Sequence, residues 1–473
     1  MRARADTLGT WDSFRANTGH HGEGGLTFPL HLVAEIGRPH GLVLSCDETN
    51  PDALFLGVHE FASMFQIPKA LRRHRVPPMS KDRQFGVHPF VWAGGQGTFN
   101  PLPIADFVDL VVLGDAEDSL PDLLRLWAQH GNTAAFLSFA ARVAGVFVPT
   151  EHNERTDRLV RGYARDVSVS LRGTAAAHQC RVEISRGCPK KCLFCGLGWL
   201  GKPRHNSTAQ ILKSIRCIPS VHLQACDAEA HPDIVEIRKA MSAAGQTDTG
   251  CTASMDEEYD SAGSLYYNKQ YNFGVEAATQ CVRVAIGKPR LTNEFLCEAT
   301  ASLFSRFHER DVKSTRIAWH MIAGLPGETP DSCEELAHAL RAIDRSLLTV
   351  ARTVGQIQIR WQPLFPQPGT PLQWEAAGED ARAWSWSLRR RLSKTYGLKI
   401  DHVSGRSDKK NQRTLSLVRS GREGSIMITG EPALTIKRLA VGTPMPWDFV
   451  DGQIQRAAIA KSAEVFRKKV AGG

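Results

Sequence analysis

The sequence predicts an α/β protein: a partial (β/α)6 barrel of the TIM type, preceded by a small Rossmann-like domain and followed by a mixed, basic extension. Apolar strand patterns alternate with amphipathic helical patterns along most of the 473 residues, as is typical of parallel sheets covered by helices. This length exceeds one ordinary domain and favours two or three. The longest series of repeated βα units runs from about residue 179 to residue 372.

The segment 1–150 predicts the small α/β domain. The pattern from Ser119 to Gly131 predicts a helix with Pro121 in its first turn. The N-terminal half of this unit looks abbreviated, so we expect a degenerate Rossmann-like domain, and the polar segment 151–178 predicts a linker. The apolar runs that predict buried strands are 42–46, 90–95 and 108–115.

The segment 179–372 predicts the barrel, whose working face lies at the C-terminal ends of its strands. Gly245 is the expected residue after one helix, and Thr329 is the expected N-cap of another. Beyond it, 373–473 predicts a partly helical extension. The predicted strands are RVEIS, SVHLQACD, FGVEAA, RIAWHMIAG and QIQIRWQPL, and the helices between them are TAQILKSIRCI, HPDIVEIRKAMSAAG, TNEFLCEATASLFSRFHE and TPDSCEELAHALRAID.

Composition excludes several classes of protein. No apolar run reaches the roughly 18 residues of a membrane span, and no apolar segment follows the N-terminus as in a signal peptide, so we expect a cytoplasmic protein. Eleven cysteines in so long a chain do not indicate a disulfide scaffold. Eight of them are scattered singly, and we expect most to be small buried apolar residues: Cys46, Cys180, Cys217, Cys226, Cys251, Cys281, Cys297 and Cys333.

The remaining three cysteines form a motif directly after a predicted strand, in VEISRGCPKKCLFCGLGWLGKPR. Cys188, Cys192 and Cys195 have the spacing C-x3-C-x2-C. Thiolates suit iron–sulfur clusters, and three of them leave one iron of a [4Fe–4S] cluster without a protein ligand. The amino and carboxylate groups of S-adenosylmethionine (SAM) could occupy that iron. The alternative is a closed zinc site, for which Cys180 and His205 are the nearest candidates as a fourth ligand.

This motif resembles the cluster loop of the radical SAM superfamily, including the aromatic Phe194 before the last cysteine. Further segments resemble the same family in the same order: 271–289, 321–332 and 361–372. The resemblance implies a [4Fe–4S] cluster on the three cysteines, reductive cleavage of SAM to a 5′-deoxyadenosyl radical, and an external electron donor of the flavodoxin or ferredoxin type.

Further cofactor-binding residues follow from these segments. In the family, the strand resembling 271–289 places a glutamate near SAM, and here that residue is Glu276; a buried salt bridge is the alternative. Gly324 and Gly327 lie in a turn at a helix N-terminus, where backbone N–H groups suit the polar part of SAM. Asp227 and Ser254 follow strand ends and could contact SAM or substrate, or cap a helix or turn.

The N-terminal segment 90–121 resembles the cobalamin-binding-type domain of many radical SAM enzymes. The motif Asp-x-His-x-x-Gly does not occur, so we expect the domain to shape the substrate site rather than bind cobalamin. The segment contains no second cysteine motif, which predicts one cluster. The matching residues are Gly94, Gly95, Pro101, Asp109, Gly114 and Glu117.

The basic segment 381–413 is the last candidate site. Residues 381–440 contain fourteen Lys or Arg and four Asp or Glu, which gives this segment a net charge of +10. Trp384 and Trp386 precede the triplet Arg389–Arg391. This pattern fits a solvated helix with core tryptophans, or binding of DNA or RNA through phosphates and stacked bases.

The function that the sequence favours is therefore hydrogen abstraction followed by rearrangement or modification of a nucleic-acid base, similar to phage enzymes thought to rearrange modified thymines in DNA. Two alternatives stay open: a cobalamin-dependent radical SAM methyltransferase acting on a small molecule, and a non-enzymatic, metal-stapled nucleic-acid-binding protein. The sequence does not determine the oligomeric state.

Overall fold

The structure is a computed structural model. It describes residues 1–8, 28–164, 171–173, 179–248, 270–309, 315–350, 355–378, 381–392, 408–424, 428, 437–452 and 454–471.

The N-terminal region is a six-stranded sheet in the order β2-β1-β3-β4-β5-β6, in which β1 to β5 are parallel and β6 is antiparallel to β5. Three of its strands, β1, β3 and the short β6, were not predicted from the sequence, so the Rossmann-like unit is less abbreviated than expected. The strands are β1 (Arg2–Leu8), β2 (Val43–Ser45), β3 (Ala53–Val58), β4 (Phe90–Gly94), β5 (Leu110–Val112) and β6 (Val146–Phe147).

Both faces of this sheet are buried under apolar clusters that include residues of the covering helices. Successive side chains of a strand point to opposite faces and so join different clusters. On β4, Phe90 and Trp92 join one apolar cluster, whereas Val91 and Ala93 join another. The covering helices are α1 (Phe28–Gly37), α2 (Ile67–Arg73), α3 (Ser119–His130) and α4 (Ala134–Ala140).

The glycines of this sheet make room for backbone. A Cβ on Gly95 would stand 2.5 Å from the carbonyl oxygen of Val58, and one on Gly114 would stand 2.2 Å from that of Gly162. Asp109 is also structural, since its carboxylate binds Arg83 at 2.8 Å. At these glycines the space next to the backbone is therefore filled by the chain itself.

The central region contains six parallel strands in two sheets. β9 (Gln179–Glu183), β12 (Ser220–Gln224) and β13 (Thr247–Asp248) form one sheet, which the antiparallel β8 (Leu171–Gly173) extends. β14 (Gln270–Glu276), β15 (Thr315–Ala323) and β16 (Gly355–Pro363) form the other. The predicted strands are confirmed. No pairing joins the two sheets within the described residues, so the partial barrel stays a prediction.

Helices connect these strands where their periodicity predicted them. Gly245 follows its helix with φ of +71°, the left-handed conformation that favours glycine at this position. The largest apolar cluster lies between the sheet β14–β16 and the helices packed on it. The helices are α5 (Thr208–Ser214), α6 (Ile234–Ala243), α7 (Gln280–Ala285), α8 (Asn293–Glu309) and α9 (Cys333–Val350).

The C-terminal region packs on both preceding regions instead of forming a separate tail. Its strand β17 (Val450–Asp451) pairs with β7 (Leu159–Val160), which lies within the segment predicted as a linker. Asn100 of the N-terminal region donates to the carbonyl oxygens of Val418 at 2.7 Å and Ser420 at 2.8 Å. The helices of this region are α10 (Ala381–Arg391), α11 (Asp408–Val418) and α12 (Arg456–Ala471).

In the part of the chain that the structure describes, every helix is too short or too polar to cross a membrane.

Candidate functional site

The three motif cysteines lie on a loop that closes on itself. The short strand β10 (Ser185–Arg186) leads into the loop, and β11 (Arg204–His205) pairs with it antiparallel on the way out. We call residues 187–203 the cysteine loop. It begins at Gly187, whose φ of +82° turns the chain away from the end of β9. The loop therefore stands at the C-terminal edge of the sheet, where the sequence predicted the working face.

Backbone contacts hold the cysteine loop in shape. The N–H of Cys195 and the indole N–H of Trp199 both donate to the carbonyl oxygen of Cys192, at 3.2 and 3.0 Å. A Cβ on Gly198 would lie 2.0 Å from the carbonyl oxygen of Lys190, so only glycine fits there. The three cysteines are thus carried on a tightly folded turn.

Two more predicted segments tie the cysteine loop to the core. The N–H of Leu193 donates to Ile286 at 3.0 Å, in the segment that follows β14. The N–H of Gly196 donates to the side chain of Gln367 at 2.8 Å, in the turn after β16. Phe194 is partly buried and packs on the apolar cluster that includes Leu193. The structure therefore brings together three segments that the sequence singled out separately.

The three thiols share one electrostatic neighbourhood. The pKa of Cys192 is raised to about 12, mainly by burial and also by Glu276 and the thiols of Cys195 and Cys188, while Lys288 opposes the shift. Burial also raises the pKa of Cys195, although a hydrogen bond from the N–H of Leu197 lowers it. The three sulfur atoms therefore interact electrostatically with one another across the loop.

A closed zinc site, the alternative to a cluster, needs a fourth ligand beside the three cysteines. Among the residues described, no group of three or more His, Cys, Asp or Glu side chains converges on one point where one metal ion would sit. His205, a candidate zinc ligand, instead bonds to Ser185 at 2.8 Å. A cubane binds each thiolate through a different iron, so its ligands stand further apart than those of zinc. Three soft thiols on one loop fit that donor set.

Glu276 ends β14 close to the cysteine loop, in an unusual backbone conformation with φ of +71°. Its carboxylate lies 3.0 Å from the ammonium of Lys288, which also donates to Gly274 at 2.6 Å. The salt bridge that we weighed as an alternative is therefore present. Lys288 lies near the sulfur of Cys192, and the sequence analysis did not single it out.

Asp227 follows β12 and faces the cysteine loop. One carboxylate oxygen, Oδ2, lies 2.9 Å from the ammonium of Lys190, between the first two motif cysteines. The other, Oδ1, is buried and has no hydrogen-bond partner, and the residue is only 8 % exposed. A buried carboxylate oxygen without a partner is costly unless a ligand supplies one.

The glycine turn is the segment 324–332 between β15 and α9. Gly324 and Gly327 both adopt positive φ, +81° and +90°. A Cβ on Gly327 would stand 2.9 Å from that of Val470, so the turn packs against α12. The expected cap is present, since the N–H of Thr329 donates to the hydroxyl of Ser332 at 3.1 Å.

A buried carboxylate also lies in the glycine turn. Glu328 accepts from the N–H and the hydroxyl of Thr279 at 2.7 and 2.9 Å. Burial raises the pKa of Glu328 to about 7, although these hydrogen bonds and the nearby Arg283 oppose the shift. The sequence analysis did not single out this residue.

Ser254, the remaining cofactor-binding candidate, lies outside the described residues. The basic segment 381–413 is described at 381–392 and 408–413 only.

The described part of the basic segment differs from a free cationic surface. Trp384 is 3 % exposed and belongs to the core, so it is unavailable for stacking on a base. Arg391 pairs with Asp331 at 2.9 Å and Glu334 at 2.8 Å. Trp386 is 65 % exposed, with the guanidinium of Arg390 5.4 Å from its ring centre. The expected stacking surface is therefore reduced to these two side chains.

The N-terminal region contacts the base of the cysteine loop through an ion network that the sequence analysis missed. Arg186 of β10 lies 2.7 Å from Glu183, 2.8 Å from Glu117 and 3.0 Å from Asp115. Arg204 of β11 binds Asp115 as well, at 2.5 Å. Burial lowers the pKa of Arg186, but the three carboxylates outweigh it and raise that pKa. The arginines that close the cysteine loop thus also join it to the N-terminal region.

Comparison with known protein families agrees with this layout. Residues 182–340 match the family described as Radical SAM superfamily, and residues 49–149 match the one described as Radical SAM proteins, N-terminal. The search of curated proteins found no match.

Proposed function

We propose that this enzyme, which contains a radical SAM superfamily domain at residues 182–340, holds a [4Fe–4S] cluster on Cys188, Cys192 and Cys195 and abstracts a hydrogen atom from its substrate. The family implies the cluster, SAM and an external electron donor. When bound, the cluster and SAM supply the one-electron cleavage that yields methionine and a 5′-deoxyadenosyl radical. The observation that carries the assignment is the single closed loop that presents all three thiols at the C-terminal edge of the sheet.

The chain's own residues orient the reactants and exclude water. Leu193 and Trp199 are buried beside Cys192 and shield one side of the cysteine loop from water. Oδ1 of Asp227 offers an acceptor for an ammonium or hydroxyl of SAM or substrate, which would satisfy its missing hydrogen bond. Glu276 and Lys288 offer a carboxylate and an ammonium near Cys192 and Cys195.

Reconstitution tests this proposal directly. The anaerobically reconstituted chain should bind about four irons, as a [4Fe–4S] cluster requires, and form 5′-deoxyadenosine from SAM when reduced. Cys188→Ala, Cys192→Ala and Cys195→Ala should each lose the cluster, whereas Cys217→Ala, at an exposed cysteine, should keep it. A colourless protein that is fully active with zinc would contradict the assignment.

For the substrate we propose a nucleic-acid base, modified or rearranged after hydrogen abstraction as by an isomerase acting on DNA or RNA. The excess of basic residues in 381–440 and the exposed pair Trp386 and Arg390 support it, since phosphates attract cations and bases stack on aromatic rings. A base in a duplex would have to be flipped out.

Binding to a single-stranded DNA oligonucleotide at several salt concentrations tests the substrate class. Trp386→Ala with Arg390→Ala should weaken binding and flatten its salt dependence, because a stacking ring and a phosphate contact are lost. Arg125→Ala removes another exposed cation, from α3, and serves as the control. Equal affinity of all three proteins would remove the nucleic-acid proposal and leave a small-molecule substrate.

A further inference from the structure

Cys226 was counted among the scattered cysteines, yet the sheet places it beside the cysteine loop. β12 runs parallel to β9 with Gln224 opposite Glu183, and the N–H of Ile184 donates to the carbonyl oxygen of Gln224 at 2.9 Å. Cys226 lies two residues further along, at the same edge where β9 continues into the loop. The N–H of Gly187 hydrogen-bonds its sulfur.

The sulfur of Cys226 therefore stands near two motif cysteines. It interacts electrostatically with Cys188 and Cys195. Cys226 is partly exposed, so its sulfur is neither sealed in the core nor free on the surface. Four thiols thus share one edge of the sheet, one more than the motif supplies.

The residue next to Cys226 independently indicates that a ligand belongs at this edge. Asp227 is 8 % exposed, its Oδ2 binds Lys190 of the cysteine loop, and its Oδ1 is buried without a partner. A buried carboxylate oxygen without a hydrogen-bond donor destabilises the folded state. A ligand carrying a hydrogen-bond donor would remove that destabilisation.

We propose that Cys226 is a fourth thiolate ligand, which closes the open iron of the cluster while SAM is absent and gives way when SAM binds. The inference rests on the proposed cluster at Cys188, Cys192 and Cys195. Four cysteines are the usual complement of a [4Fe–4S] cluster. The exchange balances without electron transfer: the thiol of Cys226 loses a proton when it binds iron and regains one when the amino group of SAM, deprotonated to chelate, takes its place.

Closing the fourth iron has a measurable consequence. Mild oxidation of an open cluster removes one electron and releases that iron as Fe²⁺, which leaves a [3Fe–4S]⁺ cluster with a distinct electron paramagnetic resonance signal. A thiolate on the same iron holds it in place. SAM should protect it equally, because SAM occupies the same coordination site.

The experiment compares the reconstituted wild-type chain with Cys226→Ala and with Cys281→Ala, a matched control at an exposed cysteine on α7. Each protein is oxidised with one equivalent of ferricyanide, with and without SAM. Without SAM, Cys226→Ala should give a several-fold larger [3Fe–4S]⁺ signal than the other two proteins. With SAM, all three should give the same small signal.

The outcomes separate this inference from the proposed function. Equal [3Fe–4S]⁺ signals without SAM, from proteins that began with full clusters, overturn the role of Cys226 and leave the three-cysteine cluster intact. Absence of a cluster from the wild-type chain contradicts the proposed function instead.

A second measurement serves if Cys226→Ala does not take up a cluster. Alkylation of Cys226 by iodoacetamide is followed by mass spectrometry in the wild-type chain, with and without its cluster. Strong protection in the loaded chain supports ligation, whereas equal labelling of loaded and cluster-free chains overturns it.

Discussion

The cysteine loop and the glycine turn are both built from short motifs, but they are held in place in different ways. The cysteine loop depends on residues far away in sequence: Asp115 and Glu117 of the N-terminal region, Ile286 after β14 and Gln367 after β16. The glycine turn has a local cap between Thr329 and Ser332, and it is also held by Thr279, by Val470 and by Ser387 and Arg391 of α10. Loss of the buried ion network at the cysteine loop should therefore cost more stability than loss of the local cap of the turn.

The largest effect is expected from Gly198→Ala in the cysteine loop. The added Cβ would stand 2.0 Å from the carbonyl oxygen of Lys190, so the backbone between Cys188 and Cys195 must shift. We expect the variant to lose its cluster, measured as iron content and visible absorption. Gly452→Ala is the control, since nothing lies within 4 Å of its Cβ. Full iron in Gly198→Ala would show that the loop tolerates rearrangement.

Arg186→Met tests the distant contacts. The variant leaves Glu183, Glu117 and Asp115 close together without their shared cation, which for a buried ion group costs about 3–5 kcal/mol. Chemical denaturation at neutral pH should show this loss of unfolding free energy. Arg125→Met breaks an exposed pair with Asp122 and should cost less than about 1 kcal/mol. Similar losses in the two variants would mean that the network does not anchor the loop.

Glu328→Gln tests the glycine turn through pH. The pKa of Glu328 is raised from 4.5 to about 7 in the folded chain, so the folded state binds the proton more tightly than the unfolded state. Stability from this group is full below pH 4.5 and is lost as pH rises to about 7. Glutamine cannot ionise, so the variant should gain on the order of 3 kcal/mol relative to wild type between pH 4.5 and 8. A stability difference that does not change with pH would contradict the burial of Glu328.

The smallest effect is expected from Ser332→Ala, which removes the acceptor for the N–H of Thr329. Loss of a helix cap costs about 0.5–1 kcal/mol. Chemical denaturation should detect this change, while the iron content of the reconstituted enzyme stays unchanged. A loss of iron from Ser332→Ala would show that the turn and the cysteine loop are coupled.

Local pattern explains which elements were predicted. The strands of the central region alternate or run apolar for long enough to be recognised, and the helices between them carry periodic apolar residues and caps. β1 was missed because Ala3 and Ala5, two of its buried residues, are small and stand between the charged Arg2, Arg4 and Asp6. Asp6 is satisfied by Arg73 and His74 of the α2 region, a pairing that no local pattern reveals.

The residues of the candidate site also fall into two groups, those that a local pattern predicted and those that it did not. Cys188, Cys192 and Cys195 were found because their ligand spacing is a local property of one short loop. Cys226, Lys288 and Glu328 were not found, because each acquires its surroundings only from strand pairing or from contacts between distant segments. For the basic segment, periodicity did not distinguish the buried Trp384 from the exposed Trp386, so the choice between a core helix and a binding surface stayed open.

The sequence by itself determined the chemistry that this protein can carry: thiol ligands at cluster spacing, a glycine turn at a helix N-terminus and the alternating strands and helices that support them. These follow from residue type and short-range spacing, which the chain has before it folds. The tertiary structure alone decided which groups share the edge of the sheet with those thiols. Burial, ion pairing and an unsatisfied oxygen such as Oδ1 of Asp227 exist only after parallel strands bring distant residues side by side.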